Sequence, residues 1–208
     1  MQAVLNEKDI LKGKTEYTGV HPQKFALWLA MASMTMFFAA ITSALLVKKG
    51  DFRVWENFRI PTVFAYSTAT VVGVSVTIHA ALYFYRKARF VAFRWLMVLS
   101  FLLGSLFLGL QYIGWEMLKN MGMTLTGTIS ASFVYLITAV HGAHIVGGLV
   151  AMFFFLVFAI RSRKDPIYEL RNIINPKRQL NLEMLAAYWH FVDIVWVYLY
   201  VFLLMNYQ

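Results

Sequence analysis

The sequence predicts an all-α polytopic membrane protein, a bundle of five transmembrane helices with its amino terminus inside and its carboxyl terminus outside. Three observations predict it. Of 208 residues, 60% are hydrophobic, 17% aromatic and only 14% charged, too apolar a balance for a water-soluble domain of this length. Five apolar stretches, 24–47, 62–85, 92–113, 130–160 and 184–205, are each long enough at about 1.5 Å rise per residue to cross a hydrocarbon core of about 30 Å. The cations, finally, fall on one side. With the amino terminus inside, the inner side holds Lys8, Lys12, Lys14, Lys24, Arg86, Lys87, Arg89, Arg94, Arg161, Arg163, Lys164, Arg171, Lys177 and Arg178, fourteen of the 19 Lys and Arg. The outer side keeps Lys48, Lys49, Arg53, Arg59 and Lys119, a split that follows the positive-inside rule.

The net charge of +9 is therefore a topology signal, and no nucleic-acid partner is expected. Arg86, Arg89, Arg94 and Arg161 sit where they can either hold anionic lipid headgroups or simply remain solvated. Residues 1–23 form a polar cytoplasmic segment with no apolar core, so they are not a cleavable signal peptide, and the first span is its own insertion signal. The remaining 24–208 form one five-helix domain with short connections.

The second span follows Pro61, whose missing N–H is harmless at a helix mouth. It carries Ser67, Thr68, Thr70, Ser75, Thr77 and His79, hydroxyls expected mostly to bond back to their own helix carbonyls. The third span ends outside with Gln111, Tyr112, Trp115 and Glu116, the composition of an interfacial aromatic belt; Gln111 is also a candidate for interhelical bonding.

In the fourth span, Ala139, Ala143, Gly147 and Ala151 recur every four residues, beside Gly148. Such a small-residue ridge lets another helix approach closely. His141 and His144 share a face, and two residues on one helical face cannot bracket a haem. Interhelical hydrogen bonding is the expected role of these histidines and of His79 and His190. The loop that follows is punctuated by Pro166 and Pro176, between which Ile167 to Ile174 can form a short interfacial helix.

The fifth span contains YWHFVDIVWVYLY, Tyr188 to Tyr200, and places His190 and Asp193 in otherwise apolar surroundings. A carboxylate near the bilayer centre costs roughly 3 kcal/mol, so Asp193 must be paired, hydrated or functional. At i and i+3, His190 and Asp193 either satisfy each other or meet a neighbouring helix; stranding an ionised partner would cost about 3–5 kcal/mol. Trp189 and Trp196 flank the polar stripe, whereas Phe191, Val195, Tyr198 and Phe202 suit lipid or an apolar partner. The absence of cysteine excludes disulfides, thiolate metal sites and iron–sulfur clusters on this chain. No nucleophile–base pair or phosphate loop is visible, so no catalytic residue, cofactor or metal site is assigned.

YWHFVDIVWVYLY, together with FVYLITAVHGAHIVGGL from Phe133 to Leu149 and LGSLFLGLQYIGW from Leu103 to Trp115, resembles subunit III of the haem–copper respiratory oxidases, in the short five-helix form. The resemblance covers about residues 24–205. It implies an accessory subunit without haem or copper of its own, part of a cytochrome c oxidase of aerobic respiration in a bacterial inner membrane. Haem and copper are then expected on partner subunits. The direct partner would be subunit I, which reduces oxygen and pumps protons, alongside other oxidase subunits, membrane phospholipids and a respiratory supercomplex. The subunit would stabilise subunit I, hold lipids and support proton uptake. A quinol oxidase of the same superfamily is the alternative, and an independent transporter a further one. The family's first core helix reads SEVxFF, with a glutamate reactive toward carbodiimide. Here Ser33 to Phe38 reads SMTMFF, which puts Met34 at the glutamate position. Gly114 stands where the family often has a second glutamate, with Glu116 two residues on.

Overall fold

The computed structural model describes residues 21–50, 55–56, 58–161 and 176–207. Five helices account for nearly all of them: α1 Pro22–Lys49, α2 Val63–Arg86, α3 Phe90–Asn120, α4 Ile129–Arg161 and α5 Pro176–Tyr207. All five are long and apolar enough to cross a membrane, and the described residues contain no strand. Two helices outrun their apolar stretches. α3 continues from Ile113 to Asn120 and α5 begins at Pro176 rather than Met184, because backbone hydrogen bonding continues past the ends of the apolar stretches into more polar sequence. The interfacial helix anticipated at 167–174 lies outside the described residues.

Side-chain bonds fix how the helices stand. At one end Glu183 of α5 accepts from Arg86 at 2.9 Å, with Lys24 at 3.6 Å, joining the start of α1, the close of α2 and the first turns of α5. At the other end Lys49 donates to the Asn206 carbonyl at 2.8 Å, and the Tyr207 hydroxyl to the Ser130 carbonyl at 2.6 Å. Thus α1 and α5 run parallel, with α2 and α4 antiparallel to them. The α2–α3 hairpin turns within Lys87 to Arg89, where Ala88 takes φ 56°, a left-handed conformation that disfavours a Cβ.

Packing centres on α5, which touches α1, α2 and α4, while α3 closes the far side against α2 and α4. α1 is attached most loosely: only Phe38, Thr42 and Leu45 of its 28 residues are buried. Trp189 and Trp196, both fully enclosed, form the middle of the core. The Trp189 ring fits because α3 and α4 present glycines to it. A Cβ on Gly104 would lie 3.2 Å from the ring, and one on Gly148 would lie 3.1 Å from it. Gly114 likewise seats Phe64 of α2, 2.9 Å from where a Cβ would stand. Contact at this range is what associates helices where lipid offers no hydrophobic drive.

The Ala139–Ala151 ridge lies elsewhere. Ala139, Ala143 and Gly147 are exposed, Ala151 is half-buried, and a Cβ on Gly147 would meet nothing within 4 Å. The inward face of α4 consists of His141, Ile145, Gly148, Met152 and Leu156 instead. Periodicity marks a ridge of small residues without stating which way it is turned, and here the larger side chains win the core.

Candidate functional site

The middle of the bundle is where polar atoms are hardest to accommodate, and there α2 and α5 meet through a small hydrogen-bonded cluster. Ser75 stands next to the midpoint of α2, and its Oγ donates to Asp193 Oδ2 at 2.5 Å. His190 Nδ1 lies 3.1 Å from the same hydroxyl oxygen. His190 and Asp193 therefore meet through a residue of the neighbouring helix rather than each other. Since Ser75 donates to the carboxylate, its oxygen accepts from His190 Nδ1–H, a tautomer that leaves Nε2 as an acceptor. Asp193 is buried to 3% exposure, and its second oxygen has no hydrogen bond. His79, one turn from Ser75, places its ring 5.8 Å from that of His190.

Ser75 differs from the hydroxyls around it. Ser67, Thr68, Thr70 and Thr77 all return to carbonyls of their own helix. Some also reach out: Trp196 Nε1 donates to Thr68 at 3.0 Å, Ser100 to Thr77 at 2.8 Å, and Gln111 Nε2 to Ser67 at 3.2 Å. These bonds correct the aromatic-belt expectation for the outer end of α3. Gln111 is buried, and Trp115 donates to Thr138 of α4 at 2.9 Å, whereas Tyr112 is exposed and Glu116 pairs loosely with Lys119 at 3.9 Å. α3 runs on beyond Ile113, so Gln111 and Trp115 are deeper in the bundle than the end of the apolar run indicated.

His141 and His144 behave differently from the expectation of bonds between helices. His141 is wholly buried with neither ring nitrogen hydrogen-bonded, enclosed by Trp196 at 4.9 Å, Phe107 at 5.8 Å and Phe38 at 6.2 Å between ring centroids. His144 Nδ1 bonds to the Val140 carbonyl of its own helix at 2.8 Å. The helix accepts these rings as aromatic packing, which sequence spacing cannot distinguish from bonding. On the remaining face of α5, Val195 is buried and Tyr198 is exposed but reaches Thr42 of α1 at 3.1 Å, while Phe191 and Phe202 are half-buried.

Two open spaces adjoin the bundle toward the end where α1 and α5 begin. A cleft of about 490 Å³ lies between α1, α4 and α5, lined by Gln23, Leu27, Gly147, Ala151, Phe155 and Tyr188, so part of the small-residue ridge forms its wall. A smaller cavity of about 360 Å³ is bordered by Val91, Arg94, Trp95, Val98 and Ile160. Of the other arginines expected to meet headgroups or solvent, Arg86 is committed to Glu183, while Arg89 and Arg161 are exposed.

The family model for cytochrome c oxidase subunit III matches residues 4–207. The chain belongs to the cytochrome c oxidase subunit III family. Relatives agree along its length: it is 28% identical to "Cytochrome c oxidase subunit 3" of Bacillus subtilis over 205 residues, covering 93% of this chain and 87% of that one. It is 35% identical to "Probable cytochrome c oxidase subunit 3" of Mycobacterium bovis over 107 residues, 51% of this chain and 47% of the relative. "Probable quinol oxidase subunit 3" of Staphylococcus saprophyticus is 26% identical over 85% of each chain. Membership of the subunit III family makes the chain a component of a multi-subunit haem–copper oxidase.

Met34 and Gly114 stand at the two positions where the resemblance implied a glutamate. Met34 is half-buried against the core, with no carboxyl group anywhere on α1. Gly114 faces Phe64 so closely that a longer side chain would have to displace the ring. The residue that sequence reasoning undervalued is Ser75. Its signal was available as the i, i+4 step to His79 at the height of the WHFVD run, yet spacing within one helix cannot show which hydroxyl leaves its own backbone.

Proposed function

We propose that this chain is the cofactor-free accessory subunit of a terminal oxidase in a bacterial inner membrane, oriented with its amino terminus inside. It stabilises the oxygen-reducing, proton-pumping subunit I, holds phospholipid along its flank and supports proton uptake. Electron transfer proceeds on other subunits that carry the haem and copper. The observation that carries this reading is the use made of the mid-membrane polar groups. Asp193 and His190 are tied through Ser75, and His141 is sealed in an aromatic cage, an arrangement suited to holding helices in register. The cleft walled by Gly147 and Ala151, lined mostly by apolar side chains, suits acyl chains.

The test is oxygen consumption over many turnovers by the oxidase with and without this subunit. Substantial initial activity followed by faster decay in its absence is expected. Identical decay curves would remove the protective role, and complete loss of initial activity in a spectrally intact core would make the chain part of catalysis.

The preferred electron donor is cytochrome c, on the strength of the relatives that carry that name over most of this chain. Quinol is the second reading, favoured by the relative named as a quinol oxidase subunit, which aligns over an equal share of both chains. Assaying the intact complex with reduced cytochrome c and with quinol separates them.

A further inference from the structure

The geometry points to the outward face shared by α2 and α5 at mid-membrane as the seat of a transmembrane helix from another subunit, one whose side chain donates a hydrogen bond to His190. This deepens the accessory-subunit reading and rests on it. His79 is exposed, and among the described residues its contact is the ring of His190. At about 1.5 Å rise it lies about 7 Å from the midpoint of α2, well inside a hydrocarbon half-thickness of about 15 Å. An imidazole carries one N–H and one lone pair, neither of which acyl chains can satisfy, and its side chain is too short to reach the interface.

Between the two helices at this height is a cavity of about 490 Å³ lined by Ser75, Val76, His79, Ala80, Tyr83 and His190. It is open to the outside of the bundle, and between His79 and Tyr83 its rim on α2 carries the smaller side chains Val76 and Ala80, which allow a helix to approach. Its chemistry selects the occupant. Because Ser75 donates to Asp193 and accepts from His190 Nδ1–H, the second nitrogen of His190 has a free lone pair. A hydroxyl, amide or carboxylic acid on the incoming helix completes it, and the same group or a neighbour can serve His79. A lipid headgroup cannot descend to this depth, so the competing occupant is an acyl chain, which would satisfy none of these atoms.

The experiment uses the intact oxidase in native membranes, with the photoreactive residue p-benzoylphenylalanine at Val76 or Ala80. Irradiation should yield adducts with a transmembrane peptide of a different subunit. Adducts with lipid alone, or with a second copy of this chain, overturn the seat. In parallel, His79→Leu should lower retention of the subunit in the detergent-purified complex at least threefold while His79→Gln retains it; unchanged or improved retention in His79→Leu means that the face meets acyl chains. A chain that copurifies with no haem-bearing subunit defeats the accessory reading as a whole. Copurification with only lipid adducts defeats this inference by itself.

Discussion

Replacing Asp193 with Ala removes the carboxylate that accepts from Ser75 and leaves that hydroxyl at the centre of the bundle without its 2.5 Å partner. Had the partner been a cation, the stranded charge would cost about 3–5 kcal/mol. The partner is a neutral hydroxyl, and such a group can turn back to a carbonyl of its own helix as Thr77 does toward Gly73. Interhelical hydrogen bonds within membranes couple by about 0.6 kcal/mol on average and up to about 1.7. Asp193→Ala is therefore expected to destabilise the bundle by about 1–2 kcal/mol once the small cavity is included. Asp193→Asn, which keeps an acceptor, should cost less than about 1 kcal/mol. The assay is heat or denaturant titration of the purified complex for Asp193→Ala, Ser75→Ala and the double variant. A double-mutant coupling of about 0.6–1.7 kcal/mol is the expected result. Wild-type stability in Asp193→Ala would show that the carboxylate is merely hydrated. A loss above about 3 kcal/mol would mean that it is ionised against a cation, refuting the neutral contact.

Gly148→Val should dissociate the subunit from the complex or cost upward of about 1–3 kcal/mol, because its side chain would enter the Tyr188 and Trp189 rings, whereas Gly147→Val, with open space beside it, should be tolerated in thermal melts of the subunit. Ala88→Gly should raise stability by up to about 1 kcal/mol by relieving a left-handed Cβ, and an unchanged melting point would count against strain in that turn. Carbodiimide should leave α1 unlabelled because it holds no acidic residue, while Met34→Glu introduces labelling there; mass spectrometry that finds an α1 adduct in the natural sequence would contradict this. Engineered cysteines at Gln208 and Asp165 should react from outside and only after permeabilisation, respectively, with the reverse pattern inverting the orientation.

The number of helices and their order were determined by the sequence alone, because a membrane-spanning stretch announces itself by length and apolarity without reference to neighbours. The family was equally legible, since YWHFVDIVWVYLY and HGAHIVGG keep their residues and spacing. The demand that Asp193 be accommodated also followed from one dimension, as a matter of solvation energy. Its partner did not. Ser75 lies 118 positions away, and only the docking of α5 on α2 chose it over His190. The same holds for the faces of α4. A ridge of small residues and a pair of histidines are periodic features, but rotation of the helix about its axis is set by how whole side chains interlock. Trp189 against Gly104 and Gly148 turned His141 inward into an aromatic cage and left Ala143 and Gly147 facing out. Helical rotation is a property of packing between elements, and in a membrane, where apolar side chains are content on either side, no hydrophobic gradient along the sequence records it.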